Sequence, residues 1–277
     1  MPHKRRTIVT HINPDLDGIP AIWLLKKFDP EYLDAEIRFV PAGSRWEEGD
    51  PELTTHVDTG GGIYDHHDTD EFTCASKLVW EDLKKRFSIR DEAMDRLIEI
   101  LTEYDHAREN LWPDPNSDRY DFSLYSILTG WKMLNPNKYY EYVEWVIPAL
   151  EAIHKVLSEK INGEKALKEG KEFESPWGVG IACQTYNDSV LDIGMKQGYA
   201  LVVRRDPVKG FIRVTGSTPD GVDLTHAYEK VMELDPKATW FLHSSKVLLR
   251  NGSSRNPTMK PTKLTLDEVV SVLKNSR

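Results

Sequence analysis

The sequence predicts an α/β protein with an N-terminal parallel sheet carrying helices on both faces, then a helical connector, then a smaller C-terminal α/β domain. In residues 7–104, short apolar strand-like runs alternate with segments of helical periodicity. That alternation is typical of a parallel sheet with helices on both faces. After residue 178, new strand-like runs predict the second α/β domain.

The N-terminal elements follow from the spacing of apolar residues. Residues 7–10 and 35–40 are predicted strands, and residues 56–58 form a predicted strand end. Helical periodicity predicts three helices in the same region, over residues 19–28, 73–87 and 91–104.

The rest of the chain divides by composition. A loop rich in Pro, Asp and Asn over residues 111–118 precedes a mostly helical stretch that runs to about residue 173. Strand-like runs then occur at 179–183, 199–203, 211–215 and 239–243. Helical patterns interrupt them at 224–234 and 266–273. We therefore expect three segments, namely an N-terminal domain (1–112), a helical connector (113–175) and a C-terminal domain (176–277).

Composition limits the classes of function. Of the 277 residues, 39% are hydrophobic and 29% charged, which fits a globular protein and not a disordered one. The net charge of −9 disfavours binding to long nucleic acid. Cys74 and Cys183 form no CxxC pair, and no apolar stretch is long enough for a signal peptide or a membrane span. We expect a cytoplasmic protein without disulfides or membrane association.

The first chemically informative segment runs from His11 to Gly18, between a predicted strand and a predicted helix. It offers one imidazole and the two carboxylates of Asp15 and Asp17 in a single loop, where the strands of α/β sheets place their sites. This ligand chemistry suits Mn²⁺ or Mg²⁺ and does not demand zinc or copper. Asp17 could instead be an ordinary N-cap of the helix that follows.

The second segment runs from His56 to Asp68. Asp58 ends a predicted strand, three glycines follow, and Asp65, His66 and His67 come next. An ordinary tight turn with exposed histidines is the alternative interpretation. Two adjacent histidines beside an aspartate, in a chain that already has a His-Asp-Asp loop, favour a metal site. Asp105, late in a predicted helix, supplies a further carboxylate, whereas His106 is more simply a structural residue.

These motifs resemble the Asp-His-His (DHH) phosphoesterase superfamily, over residues 7 to about 110. The superfamily includes RecJ-type exonucleases, oligoribonucleases, cyclic-dinucleotide phosphodiesterases, exopolyphosphatases and family II inorganic pyrophosphatases. A closer resemblance is to the MYG-type metal-dependent hydrolases and exonucleases. It rests on residues 57–67 and, more loosely, on residues 241–245.

The resemblance implies a role for each residue. His11 and Asp15 would bind one metal ion, and Asp58 would bridge it to a second. The second ion would be bound by Asp17, His66 and Asp105 as well. The implied cofactors are two divalent ions, with Mn²⁺ expected and Mg²⁺ as the alternative.

Catalysis and substrate binding would involve other neighbours of these ligands. Asp65 would orient the histidine pair, and with Asp58 and His67 it makes up the expected catalytic group. The expected substrate contacts are Asn13, His67, His243 and Arg255. The loop 250–256, which contains Arg255, could grip a phosphate or be a solvated turn.

The chain departs from the superfamily in two respects. Only seven positions separate Asp58 from Asp65, and the C-terminal half has no Gly-Gly-Gly-His loop. A local basic cluster, Arg204, Arg205 and Lys209, could contact nucleic acid, although such clusters are more often solvated turns.

We therefore expect a two-metal phosphoesterase that hydrolyses phosphodiester bonds of short oligonucleotides or nucleotides. One alternative is a phosphomonoesterase or pyrophosphatase with a small phosphorylated substrate. An alternative of another class is a non-catalytic binding protein that retains the fold. The expected partners are short nucleic acid or a phosphorylated small molecule, and a homodimer is allowed.

Overall fold

The computed structural model describes residues 5–252 and 256–276, and its contacts divide the chain into two compact units, Met1–Leu157 and Ser158–Arg277. The predicted α/β class is confirmed. The first unit contains a three-stranded parallel sheet and the second a six-stranded mixed sheet. The division falls within helix α5 (Tyr139–Lys168).

The sheet of the first unit is formed by β1 (Thr7–His11), β2 (Glu36–Val40) and β3 (Thr54–His56). β1 is the central strand and is buried over most of its length, which explains its run of apolar and small polar residues. All three strands run in the same direction, so their carboxyl ends lie at one edge of the sheet. Polar loops follow β1 and β3 at that edge.

The helices of the first unit share one apolar core with this sheet. They are α1 (Gly18–Phe28), α2 (Ala75–Phe87), α3 (Glu92–Asp105), α4 (Leu124–Leu134) and the first part of α5. α1 is buried from Gly18 to Leu25, as its uniformly apolar sequence requires. Each fully buried leucine or isoleucine of this kind contributes about 1.5–3 kcal/mol to the free energy of folding. The core therefore fixes α1 firmly at the polar edge of the sheet.

The second unit contains six strands in the spatial order β4-β5-β6-β7-β9-β8, and only β5 and β6 pair in parallel. The strands are β4 (Lys171–Ser175), β5 (Gly178–Gln184), β6 (Leu201–Arg205), β7 (Ile212–Gly216), β8 (Trp240–Leu242) and β9 (Leu248–Asn251). Helix α6 (Ser189–Lys196) packs in one apolar cluster. Helices α7 (Thr225–Leu234) and α8 (Leu266–Lys274) pack in another.

The sequence prediction was wrong at the end of the helical stretch. Residues 171–175 form strand β4 instead of helix, because Phe173 is buried where β4 pairs with β5, whereas its neighbours Glu172 and Glu174 are exposed. Strand β9 and helix α6 were not predicted, since both are short and β9 has only two apolar residues. The other predicted helices and strands agree with the structure to within a few residues.

Two further expectations concern the cysteines and the membrane. Cys74 and Cys183 are both buried free thiols. Among the described residues, no helix combines the length and the apolar character that crossing a bilayer requires.

Candidate metal centre

The polar edge of the first sheet brings the two motifs together. His11 is the last residue of β1, and Asp58 lies two residues beyond β3, the neighbouring strand. The Val57 N–H donates to the Val9 carbonyl at 2.9 Å, so the pairing of the two strands continues almost to Asp58. Two parallel strands that end side by side therefore place His11 next to Asp58.

The short loop after Asp58 folds back, so that its end lies next to its beginning. Asp58 has a left-handed backbone with φ of 55°, an uncommon conformation that is best tolerated by Gly, Asn and Asp. Its N–H donates to the Tyr64 carbonyl at 2.9 Å. Gly60 and Gly61 also have positive φ, and the Gly61 N–H donates to Asp65 Oδ2 at 2.7 Å. The glycine run thus folds Asp65 and the two histidines back towards Asp58.

Asp15 and Asp17 bind the termini of two different helices. Asp15 Oδ1 accepts from the N–H groups of Asp17 at 2.9 Å and Gly18 at 3.2 Å, so Asp15 satisfies the start of α1. Asp17 makes no capping bond to α1, contrary to the simpler interpretation of its position. Instead its two oxygens accept from Ala75 N–H at 2.6 Å and Ser76 N–H at 2.7 Å, at the start of α2.

His11 faces oxygen atoms with both ring nitrogens. Nδ1 lies 2.9 Å from the Ile12 carbonyl, and Nε2 lies 3.0 Å from Asp58 Oδ2 and 3.7 Å from Asp15 Oδ2. A neutral imidazole has only one N–H to donate. The other nitrogen therefore needs a second proton or another cation between itself and the carboxylates.

His66 also faces carboxylates with a ring nitrogen. Its Nε2 lies 3.3 Å from Asp17 Oδ2, 3.6 Å from Asp105 Oδ2 and 3.8 Å from Asp58 Oδ1. None of these contacts has hydrogen-bond geometry, and this buried nitrogen has no hydrogen-bond partner among the described residues. A buried nitrogen that faces three carboxylates without a bond to any of them lacks a partner, and a bound cation would supply one.

Asp58 joins the two groups. Its side chain is only 4% exposed, with Oδ2 facing His11 and Oδ1 facing His66. His67 Nε2 also lies 4.0 Å from Oδ1. Three sets of candidate ligand atoms, each set within 4.8 Å, result: His11, Asp15 and Asp58; Asp17, His66 and Asp105; and Asp58, His66 and His67. The structure therefore brings together all six residues predicted as metal ligands.

The charges of these groups perturb one another. Burial raises the pKa of Asp58 to about 7, and the nearby charges of Asp17 and Asp15 act in the same direction, against the hydrogen bond from His11. Burial followed by the charge of Asp17 raises the pKa of Asp105 to about 6. Burial and neighbouring negative charge therefore both oppose ionisation of Asp58 and Asp105, and a bound cation would favour their ionised forms.

The histidines respond in the opposite sense. Burial alone would lower the pKa of His11, but its hydrogen bond with Asp58 and the charges of Asp58 and Asp15 raise it to about 9. Asp17 raises the pKa of His66 to about 9, against the effect of burial. Without another cation, protons on these two imidazoles supply the missing positive charge.

His67 and His106, which also lie near the cluster, have separate environments. The ring of His67 is 64% exposed, and its Nδ1 donates to Asp65 Oδ1 at 2.6 Å. The structure thus pairs Asp65 with His67, while the carboxylates nearest His66 Nε2 are those of the cluster. His106 Nε2 donates to the Thr73 carbonyl at 2.8 Å, which fits the structural role expected for it.

The donor set fits divalent cations that prefer oxygen and imidazole ligands. Four carboxylates and two imidazoles suit Mn²⁺ or Mg²⁺ better than soft metals. Cys74 lies nearby, but its thiol contacts the hydroxyls of Ser76 and Thr102, and burial raises its pKa. A protonated thiol is a poor ligand, so the residues present fit a hard divalent ion.

The predicted substrate contacts are distributed over the chain. Asn13 lies in the loop between β1 and α1 with a left-handed backbone, φ 59°. His243 belongs to the second unit, where its Nδ1 lies 2.8 Å from Ser245 Oγ and accepts from the Ser245 N–H. Arg255 lies outside the described residues.

Sequence reasoning missed Lys132 on α4. Its Nζ donates to the Asn13 carbonyl at 3.1 Å, and burial lowers its pKa, partly offset by the charge of Asp15. The lysine therefore brings a positive charge to the His11–Gly18 loop. No motif marks it, because a single lysine on an amphipathic helix looks like an ordinary surface residue.

Comparisons with known proteins assign no function to the chain. No protein-family profile and no curated protein sequence matches the chain. Among solved structures, the chain is similar to the crystal structure of an uncharacterized protein from Helicobacter pylori G27, at 10% sequence identity and a TM-score of 0.27. That match covers 99% of this chain and 100% of the other. A likeness at this level carries no argument about function.

Gly18 provides a test of how closely the cluster is packed. A Cβ at this position would lie 2.7 Å from Thr10 Oγ1 and 3.1 Å from Asp58 Oδ2. We expect Gly18→Ala to displace Asp58, weaken Mn²⁺ binding and lower the free energy of unfolding by about 1–3 kcal/mol. Titration calorimetry with Mn²⁺ and thermal unfolding measure the two effects.

Gly130→Ala is the matched control. Gly130 lies within α4, and a Cβ there would meet no atom within 4 Å. Since Ala favours helix over Gly, this variant should be slightly stabilised and bind Mn²⁺ normally. Unchanged Mn²⁺ binding in Gly18→Ala would contradict the close packing of Gly18 against Asp58.

Proposed function

We propose that the protein is a two-metal phosphoesterase that hydrolyses phosphodiester bonds of short oligonucleotides. The observation that carries the proposal is the position of Asp58, whose two oxygens face two different histidines, each accompanied by further carboxylates. A carboxylate in this position suits bridging of two cations, because each oxygen can serve a separate ion. The sequence resemblance to the DHH phosphoesterases supports the same assignment.

The ligand groups assign the residues to two ions. His11 and Asp15 would hold one ion, and Asp17, His66 and Asp105 the other, with Asp58 shared by both. Two ions held in this way would supply an activated water molecule and stabilise negative charge on phosphoryl oxygens. With the ions bound, the acidic cluster becomes attractive to a phosphate.

Other residues of the first unit would handle the substrate. Asp65 fixes the His67 ring, so that Nε2 stays on the side of Asp58. Because His67 is exposed, it is placed to contact a substrate phosphate or to give a proton to the leaving oxygen. Lys132 adds a positive charge on the Asn13 side of the cluster.

An aromatic surface supports an oligonucleotide substrate over pyrophosphate. Tyr104 directly precedes the candidate ligand Asp105, and its ring stacks on Tyr125, with centroids 5.3 Å apart and an interplanar angle of 9°. Trp112 packs edge-on against Tyr104, and Tyr120 contacts Trp112. Aromatic rings bind single-stranded nucleic acid by stacking on its bases, a contact that pyrophosphate cannot make.

Replacing Asp58 tests the reaction. We expect Asp58→Asn to reduce Mn²⁺-dependent hydrolysis by about a hundredfold or more, because a neutral amide cannot bridge two cations. Asn is chosen because it tolerates the left-handed backbone at this position. The assay follows cleavage of a 5′-labelled short RNA, a dinucleotide, pyrophosphate and a chromogenic phosphodiester, with Mn²⁺ or with chelator.

Asp68→Ala is the matched control for the loss of one negative charge, because Asp68 is exposed near the same motif. The Asp68→Ala variant should retain activity.

Activity of Asp58→Asn equal to that of the wild type would contradict the two-metal assignment. If the wild type prefers pyrophosphate, the proposed metal centre stands, but an oligonucleotide is excluded as the substrate. Mn²⁺ binding without hydrolysis of any of these substrates would favour a non-catalytic binding protein.

The aromatic surface has a separate test. Tyr125 is exposed and stacks on Tyr104 outside the metal cluster. We expect Tyr125→Ala to raise the KM for a short RNA by about tenfold, since base stacking contributes about 1–3 kcal/mol per base. The kinetic parameters for the chromogenic phosphodiester should stay close to those of the wild type. Equal losses of activity on both substrates would show that Tyr125 supports the fold of the site and does not bind bases.

A further inference from the structure

A row of three arginines crosses the sheet of the second unit. Arg204 on β6 pairs with Arg213 on β7, which in turn pairs with Arg250 on β9. Directly opposed residues on neighbouring strands project from the same face, and like charges in such positions repel each other. Burial and the charge of Arg213 lower the pKa of Arg250, in keeping with this repulsion. The row therefore requires anions beside it.

The chain supplies only part of that negative charge. Asp188, which directly precedes α6, accepts hydrogen bonds from both Arg204 and Arg213. Asp206 Oδ2 lies 3.9 Å from Arg204 Nη1. Two guanidinium groups have more N–H donors than one carboxylate can accept.

Several donors of the row remain without acceptors. Within residues 5–252 and 256–276, Nε and Nη1 of Arg204 and Nε of Arg213 have no hydrogen-bond partner. Arg204 is only 3% exposed, so its donors have little contact with bulk solvent. Buried cationic donors without acceptors cost free energy, and a bound anion that draws these side chains towards it would recover that energy.

A cavity of about 510 Å³ lies beside Arg204 and Arg213. That volume falls within the range of about 300–1,000 Å³ that is usual for small-molecule sites. Its charged and aromatic lining residues are Tyr186, Asp188, Arg204, Asp206, Lys209, Phe211 and Arg213. Three cations therefore face two carboxylates, and two aromatic rings form another part of the wall.

We propose that this cavity binds a nucleotide, with its phosphate at Arg204, Arg213 and Lys209 and its base against Tyr186 or Phe211. Arginine is suited to this role because its planar guanidinium can hold phosphate oxygens by paired hydrogen bonds. Tyr186 is largely exposed and can stack on a base. The site lies within the second unit, so binding does not depend on the metal cluster or on hydrolysis there.

Only two residues of the basic cluster noted in the sequence, Arg204 and Lys209, line this cavity, and the third, Arg205, does not. Arg205 follows Arg204 on β6, and successive residues of a strand point to opposite faces. Its Nε donates to the Leu264 carbonyl at 3.4 Å, and it lines a different cavity, with Thr265 and Leu266. Arg205 therefore serves as a matched control for the loss of one arginine from the same strand.

Binding to the intact chain in the presence of chelator tests the proposal. The calorimetric ligands are adenosine monophosphate, inorganic phosphate, adenosine and a 5′-phosphorylated dinucleotide. We expect adenosine monophosphate to bind more tightly than phosphate or adenosine. Arg213→Gln and Lys209→Ala should each weaken its binding by about tenfold, and Tyr186→Ala should weaken the nucleotide but not phosphate. Arg205→Gln should bind like the wild type.

The outcomes separate the proposal from its competitors. If the dinucleotide binds more tightly than the mononucleotide, the ligand is a strand end, and otherwise it is a free nucleotide. Failure of the wild type to bind adenosine monophosphate would overturn the proposal, as would equal weakening by Arg205→Gln. If thermal unfolding shows that Arg213→Gln does not fold, Lys209→Ala decides, because Lys209 lies in an exposed turn.

Discussion

Repulsion among the carboxylates at the end of β1 and β3 is the constraint on which the first unit depends. Asp15, Asp17, Asp58 and Asp105 lie around two imidazole nitrogens, and His66 Nε2 alone is within 4 Å of three of these side chains. Burial and the neighbouring charges raise the pKa values of Asp58 and Asp105, so positive charge among these groups favours their ionised forms. Protons on His11 and His66 can supply it, and divalent cations can do so more completely.

The fold places these charges by using them as parts of the helix termini. Asp15 accepts from the first N–H groups of α1, Asp17 accepts from those of α2, and Asp105 is the last residue of α3. Helix N-termini stabilise the first two carboxylates, whereas a helix C-terminus opposes the third. The same carboxylates therefore contribute both to the cluster and to the ends of three helices, and a cation at Asp105 would offset an otherwise unfavourable position.

Much of the first unit could be predicted from the sequence, because the patterns that determine its elements lie within short segments of the chain. The strand before His11, the helix after Gly18 and the glycine run after Asp58 each follow from periodicity or turn chemistry in a few neighbouring residues. Two motifs at the ends of parallel strands must meet at the same edge of the sheet. Five of the six candidate ligands lie in these two motifs, whereas Asp105 at the end of α3 was a weak candidate by itself and entered only as a possible further carboxylate.

The remaining features depend on contacts between distant residues. Asp17 looks like the cap of its own helix, and only tertiary packing brings it to the start of α2, 58 positions away. Lys132 reaches Asn13 from a segment that carries no motif. The arginine row requires the register of β6, β7 and β9, and β9 itself was not predicted. Periodicity gives an element its class, whereas register and packing decide which side chains share a site.

The most direct test of the account is the position of bound manganese. Anomalous X-ray scattering from crystals grown with Mn²⁺ locates each ion independently of any assay for hydrolysis. We expect two peaks about 3.5–4 Å apart on either side of Asp58. One should lie beside His11 and Asp15, and the other beside Asp17, His66 and Asp105. A single peak, or peaks away from Asp58, would contradict the shared carboxylate at the centre of the proposed site.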